Sequence, residues 1–108
     1  MTRKERRKME KIARDVGGSV YFDARWYLDT YDDVAQSAHY ARRPALHYVC
    51  FGAKEGRNPS RVFDTQWYLE SNWDVAEDGM NPLWHFVRYG RHEGRKALPG
   101  LDWKSENR

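Results

Sequence analysis

From Phe22 onward the apolar and polar positions of the chain form one pattern that is written twice. An aromatic-Asp pair, two variable positions, Trp-Tyr-Leu and then Asp-Val-Ala run through FDARWYLDTYDDVA from Phe22 and again through FDTQWYLESNWDVA from Phe63. A second block, PALHYVCFGAKEGR from Pro44, returns as PLWHFVRYGRHEGR from Pro82. Roughly half of about 28 aligned positions are identical, which marks an internal repeat. The offset is 41 residues at Phe22/Phe63 and 38 at Pro44/Pro82, so the first copy holds three extra residues between Gln36 and Arg43. That length difference predicts a loop there, since connections absorb insertions that packed elements do not.

Each copy reads as three short helices. Asp23 and Asp64 are positioned to accept hydrogen bonds from free backbone N–H groups at a helix start. Phe22 and Phe63, just outside those caps, are placed to pack onto Tyr27 and Tyr68 as a hydrophobic staple. Trp26 and Trp67 stand beside Tyr-Leu in the same slot of both copies and are expected in the core. Asp33 and Asp74, before Val-Ala, are cap candidates for a second helix, which Gly79 ends in the second copy. The third helix is predicted from Pro44 to about Glu55 and from Pro82 to about Glu93, with proline in a first turn where its missing N–H costs nothing. Asn81 is the better cap of that pair and Arg43 the poorer. Gly52 and Gly90 fall inside these helices, where glycine costs about 0.5–1 kcal/mol relative to alanine. Their recurrence points either to close approach of another backbone or to a break in the helix. Gly56 and Gly94 suit the left-handed position that closes a helix.

Ahead of the repeats, Met9, Ile12, Ala13 and Val16 share one helical face among lysines and arginines, so residues 1–18 are predicted to form a basic amphipathic arm stopped by Gly17-Gly18. Repeat 1 then occupies 19–60, repeat 2 occupies 61–100, and 101–108 forms a tail in which Trp103 is a candidate lid. The expected fold is all-α: two tandem three-helix repeats packed into one small helical domain. Neither unit buries its aromatic face alone, and with only two copies an edge is left for self-association or docking.

Composition sharpens this picture. The 108 residues suffice for one core, and five Trp, seven Tyr and four Phe make that core ring-rich. The net charge of +3 is unevenly spread. Residues 1–15 hold seven Lys/Arg against three Asp/Glu, a balance of +4, which leaves −1 for the remainder. Nucleic-acid binding is therefore not expected of the repeats, whereas Arg3, Lys4, Arg6, Arg7, Lys8 and Lys11 form a candidate surface for an anionic partner. Cys50 is the only cysteine and excludes an internal disulfide. No segment approaches the length of a membrane span or carries a signal-peptide core, so the chain as given reads as cytoplasmic.

The full pattern, F-D-x-x-[WY]-Y-L, D-V-A, P-L-x-H-[YF] and G-x-x-E-G-R, resembles a bacterial tandem repeat often appended to glycosyltransferases and to rhamnan or capsular polysaccharide assembly proteins. The resemblance spans about residues 21 to 99, with Asp32 and Trp73 standing where the family pattern has proline before Asp-Val. It implies a context of surface-polysaccharide assembly and brings no settled catalytic role for the module.

Candidate chemistry is weighed within that frame. His47 and His85 occupy equivalent positions but lack the additional ligands of a metal site, so the expected role is a hydrogen bond to a backbone carbonyl or a capping Asp. Arg57 and Arg95 are expected to lock the third helix to Asp33 and Asp74, the alternative being forks for an anionic sugar or phosphate. Trp73 and Trp84, which lack a Trp counterpart, are the candidates for a partner- or glycan-contacting surface. No nucleophile stands beside a base. The function expected is non-catalytic protein docking or self-association without cofactor or metal. Direct carbohydrate binding is the alternative, and a regulator with a nucleic-acid-binding arm the third reading.

Overall fold

The computed structural model describes residues 1–100, and both Trp103 and the tail expected at 101–108 lie outside the described residues. The fold is all-α. Helix α1 spans Arg3–Gly17, and the first unit follows as α2 (Ala24–Thr30), α3 (Asp32–Ala35), α4 (Ala38–Arg42) and α5 (Pro44–His47), which runs on into a π-helical turn, Tyr48–Gly52. The second unit comprises α6 (Thr65–Ser71), α7 (Trp73–Asp78), α8 (Pro82–Arg88) and a 3-10 turn, Gly90–Glu93. Among the described residues extended pairing is confined to an isolated bridge between Ser60 and Phe63.

Helices of four to seven residues have no stability of their own, because nucleation costs more than so few hydrogen bonds return. Caps and packing hold them. Asp23 and Asp64 each accept the N–H three residues on, at 3.0 Å from Trp26 and Trp67. The staples close as ring contacts, Phe22 on Tyr27 at 5.4 Å and Phe63 on Tyr68 at 5.1 Å between centroids. Asn81 caps α8 through the Trp84 N–H at 3.0 Å, while Arg43 gives α5 no side-chain cap. Gly79 ends α7 with φ of 74°, and Gly56 and Gly94 follow the third helices with φ of 78° and 80°.

Four expectations are corrected. The three-residue insertion is not a loop: it forms α4, capped by the Ser37 hydroxyl at the Tyr40 N–H. Asp33 and Asp74 do not cap, because Tyr31 and Asn72 hold the cap positions and place both Asp in the first turn. The third helix of each unit is not continuous α-helix; it changes to a π turn in one and a 3-10 turn in the other. Finally, Trp26 and Trp67 are half-buried at the rim, and the core belongs to their neighbours Tyr27 and Tyr68, both fully buried. The reason is register: the residue that the staple draws inward is four past the cap, and the one before it is turned about 100° away.

The core is a ring-rich cluster of Tyr27, Tyr48, Phe63, Tyr68 and Phe86 with Val34, Val75 and Leu83. Direct links between the units include the Tyr48 hydroxyl, 2.7 Å from Thr65 Oγ1, and the edge of Tyr21 against Phe86 at 5.0 Å. The basic N-terminal helix adds further links. Its Ile12, Ala13 and Val16 are buried, and it lies against α5 of the first unit and α8 of the second. Glu10 meets Arg43 at 3.5 Å, while Asp15 receives the Trp84 indole N–H at 3.1 Å. One side of α1 is thus a shared wall of both repeats.

Candidate functional site

The residues common to both copies assemble into the same polar unit twice. In the first, Tyr27 Oη lies 2.7 Å from His47 Nδ1, joining α2 to the end of α5; in the second, Tyr68 Oη lies 2.9 Å from His85 Nδ1. The two imidazoles are buried, and burial holds both below their ordinary value of 6.5. The partner is a tyrosine hydroxyl, not the backbone carbonyl or capping Asp expected. Burial also pushes the Tyr68 hydroxyl up to about 12 and shifts Tyr27 in the same direction. A neutral imidazole paired with a neutral phenol is the arrangement that a nearly dry site favours.

Glu-Gly-Arg builds the second element. The Arg57 and Arg95 N–H groups bond back to the carbonyls of Gly52 and Gly90, each at 2.9 Å, across a glycine in the left-handed conformation. This chain reversal is the six-to-one closure of a helix C-terminus. It aims each arginine back along its own unit. Arg57 meets Asp33 with two N–H donors at 2.7 and 2.8 Å, and Arg95 meets Asp74 with two at 3.0 Å. The remaining Nε of each is taken by Glu55 at 2.8 Å and by Glu93 at 2.9 Å. Each guanidinium therefore serves two carboxylates, and the bidentate pairing holds Asp33 and Asp74 below their ordinary value. Arg57 also lies over the Tyr31 ring at 4.9 Å, and Arg95 takes Asn72 Oδ1 at 2.9 Å.

The structure thus brings His47, Arg57 and Asp33 into one unit and His85, Arg95 and Asp74 into the other, each histidine Nδ1 bonded to a tyrosine and each guanidinium to carboxylates of its own unit. It separates the two tryptophan candidates. Trp84 is half-buried between α8 and α1, bonded to Asp15, with Arg88 at 5.5 Å over its ring. Trp73, at the first position of α7, is 70 % exposed. The cations Arg3, Lys4, Arg6, Arg7, Lys8 and Lys11 are exposed on α1. Two open surface grooves, of about 320 and 440 Å³, exclude both histidines, both repeat arginines and both tryptophans. Among the described residues no group of three or more His, Cys, Asp or Glu is placed to hold a metal ion, and no helix is long and apolar enough to cross a membrane.

Sequence reasoning missed the histidines' tyrosine partners and the second carboxylates, Glu55 and Glu93. One signal was available: in both copies a glycine stands five residues after the histidine. A Cβ at Gly52 or Gly90 would fall on the Tyr27 or Tyr68 hydroxyl, so those glycines report the ring's approach.

The titrating groups set a direction for acid stability. A histidine held below 6.5 in the fold contributes stability that is complete above 6.5 and is lost as pH falls through its folded value. The carboxylates held below 3.8 contribute stability present above 3.8 and lost at lower pH. Urea midpoints measured against pH are expected to fall in two stages, the first beginning near pH 6.5 and the second below pH 4. The double variant His47→Gln/His85→Gln should lack the first stage and keep the second.

No family model, curated protein or solved structure matches the chain.

Proposed function

We propose that the protein is a non-catalytic interaction module of bacterial surface-polysaccharide assembly, working by docking onto a protein partner or by self-association. The observation that carries this reading is Trp73. Its indole is 70 % exposed where the first copy has Asp32, and no hydrogen bond among the described residues uses it. A large ring left in water at a position that the fold fills equally well with Asp suits a contact surface, because Trp is among the strongest anchors of protein interfaces. The engagement of His47, His85, Arg57 and Arg95 with neighbours of their own unit points the same way, since it leaves these groups scaffolding duties. The polysaccharide context rests on the repeat motif.

Sedimentation equilibrium across a wide concentration range tests the reading on the protein and on Trp73→Asp, which borrows the first copy's residue. The expected result is association by the parent chain, weakened at least about tenfold in the variant, with folding stability unchanged within about 0.5 kcal/mol as for other surface substitutions. A parent chain that stays monomeric throughout removes self-association and leaves docking to a different protein. Glycan binding keeps Trp73 as its anchor, because Arg57 and Arg95 are engaged by carboxylates and Trp84 by Asp15. Retention of acidic polysaccharide by the parent and not by Trp73→Asp would establish that reading instead.

A further inference from the structure

We propose that the outer face of α1 is a rigid docking surface for an anionic lipid bilayer, independent of whatever Trp73 contacts. With Ile12, Ala13 and Val16 turned into the core, the opposite side of the helix presents Arg3, Lys4, Arg7, Lys8, Lys11 and Arg14, all exposed. At about 100° per residue these six side chains fill one sector of about 140°. None of them makes an ion pair among the described residues. Asp15 falls within that sector and Glu10 at its edge, but both are engaged elsewhere, Glu10 by Arg43 and Asp15 by Trp84 and Arg88.

The N-terminal part of the stripe works against the helix that bears it. Arg3/Arg7, Lys4/Lys8 and Arg7/Lys11 are like charges one turn apart, which destabilise a helix. Arg3, Lys4 and Arg6 also crowd the positive end of its dipole. The Thr2–Glu5 capping box offsets part of this. Arg14, in the last turn, is well placed for the dipole, but Arg3, Lys4 and Arg7 oppose the helix and form no ion pair among the described residues, and an external anion would account for them.

Geometry selects the class of anion. A straight helix anchored along one side offers its other side to a plane, and long Lys and Arg stems let all six heads reach that plane. Half of α1 is walled by α5 and α8, and the chain beyond residue 15 has a net charge of −1, so a nucleic acid would meet cations on this one face and a near-neutral body on either side of it. The stripe also contains no aromatic for stacking on bases and no Asn or Gln for reading their edges. It contains no apolar residue for insertion either, so adsorption is electrostatic and reversible.

Vesicle flotation of the full chain tests this, comparing phosphatidylcholine vesicles with ones carrying about 30 mol % phosphatidylglycerol, at low salt and at about 0.5 M salt. Binding is expected only to the anionic vesicles and only at low salt. Arg7→Gln/Lys11→Gln should lower the partition coefficient about 30-fold. Glutamine keeps the helix propensity of the residues it replaces. The control Arg25→Gln/Arg61→Gln, which removes the same charge from exposed positions off α1, should stay within about threefold of the parent. Equal binding to neutral vesicles, equal losses in the two double variants, or retention of duplex DNA by a chain that ignores vesicles would each overturn the proposal.

Discussion

Gly52→Ala and Gly90→Ala are each expected to destabilise the protein by about 2–4 kcal/mol, combining overpacking with the loss of a buried hydrogen bond. The sign is the informative part. In a helix interior, alanine ordinarily stabilises relative to glycine by about 0.5–1 kcal/mol, because glycine surrenders more backbone freedom on folding. Here the added methyl would land on the hydroxyl of Tyr27 or Tyr68, with the rings of Tyr48 and Phe86 only 3.4 Å away. Relief requires the tyrosine to leave His47 or His85, which strands a buried phenol and a buried imidazole together. Urea unfolding of the two single variants measures the effect, and the two values should agree, since the cradle is built the same way in both units. A stabilised Gly52→Ala would mean that the tyrosine does not occupy that space.

Tyr27→Ala is expected to cost about 3–5 kcal/mol, the range for truncating a buried aromatic. Trp26→Ala should cost less than about 2 kcal/mol despite removing the larger ring. Tyr27 is fully buried and packs against Phe22, Tyr31, Tyr48 and His47, whereas Trp26 is half-exposed and meets Tyr31 alone among the described rings. Against a total stability of about 5–15 kcal/mol for a domain of this size, the tyrosine truncation approaches global unfolding. Tyr27→Phe keeps the ring and removes only the hydroxyl, and should fall between the two at about 1–3 kcal/mol by leaving His47 unpaired. Thermal or urea denaturation of the three variants gives the order directly. A costlier Trp26→Ala than Tyr27→Ala would restore the tryptophan to the core.

The pH profile and the glycine variants probe one device from two sides. Acid protonates His47 and His85 where burial disfavours the charge, and a methyl at Gly52 or Gly90 displaces the phenol each imidazole faces. If both perturbations act through the tyrosine–histidine contact, the acid sensitivity that begins near pH 6.5 should be blunted in Gly52→Ala/Gly90→Ala.

Much of the local structure was legible because it depends on atoms close along the chain. Asp23 and Asp64 cap, Asn81 caps where Arg43 does not, and Gly56, Gly79 and Gly94 close helices through hydrogen bonds within a few residues. The staple was legible for the same reason, and applied strictly it would have placed Tyr27 rather than Trp26 in the core. The Arg57–Asp33 and Arg95–Asp74 pairs span 24 and 21 residues, yet the repeat exposed them, since each arginine recurs with its carboxylate. Tyr31 and Asn72 were missed because they differ between the copies while doing related work: one lies under Arg57 and the other hydrogen-bonds Arg95.

Read by itself, the sequence determined the all-α class, the duplication, the helix starts at Asp23, Asp64 and Asn81, the glycine closures at Gly56, Gly79 and Gly94 and the matched ionic pairs, because capping, left-handed closure and repeat symmetry are local or self-revealing. Tertiary structure alone decided that α1 is a wall shared by both units, that Trp84 is held by Asp15 while Trp73 stands in water, and that Tyr27 and Tyr68 bond the histidines over Gly52 and Gly90. Those outcomes depend on which surfaces of short helices meet. Helices of four to seven residues carry too little amphipathic pattern to choose among their neighbours, so the choice falls to packing across the whole core.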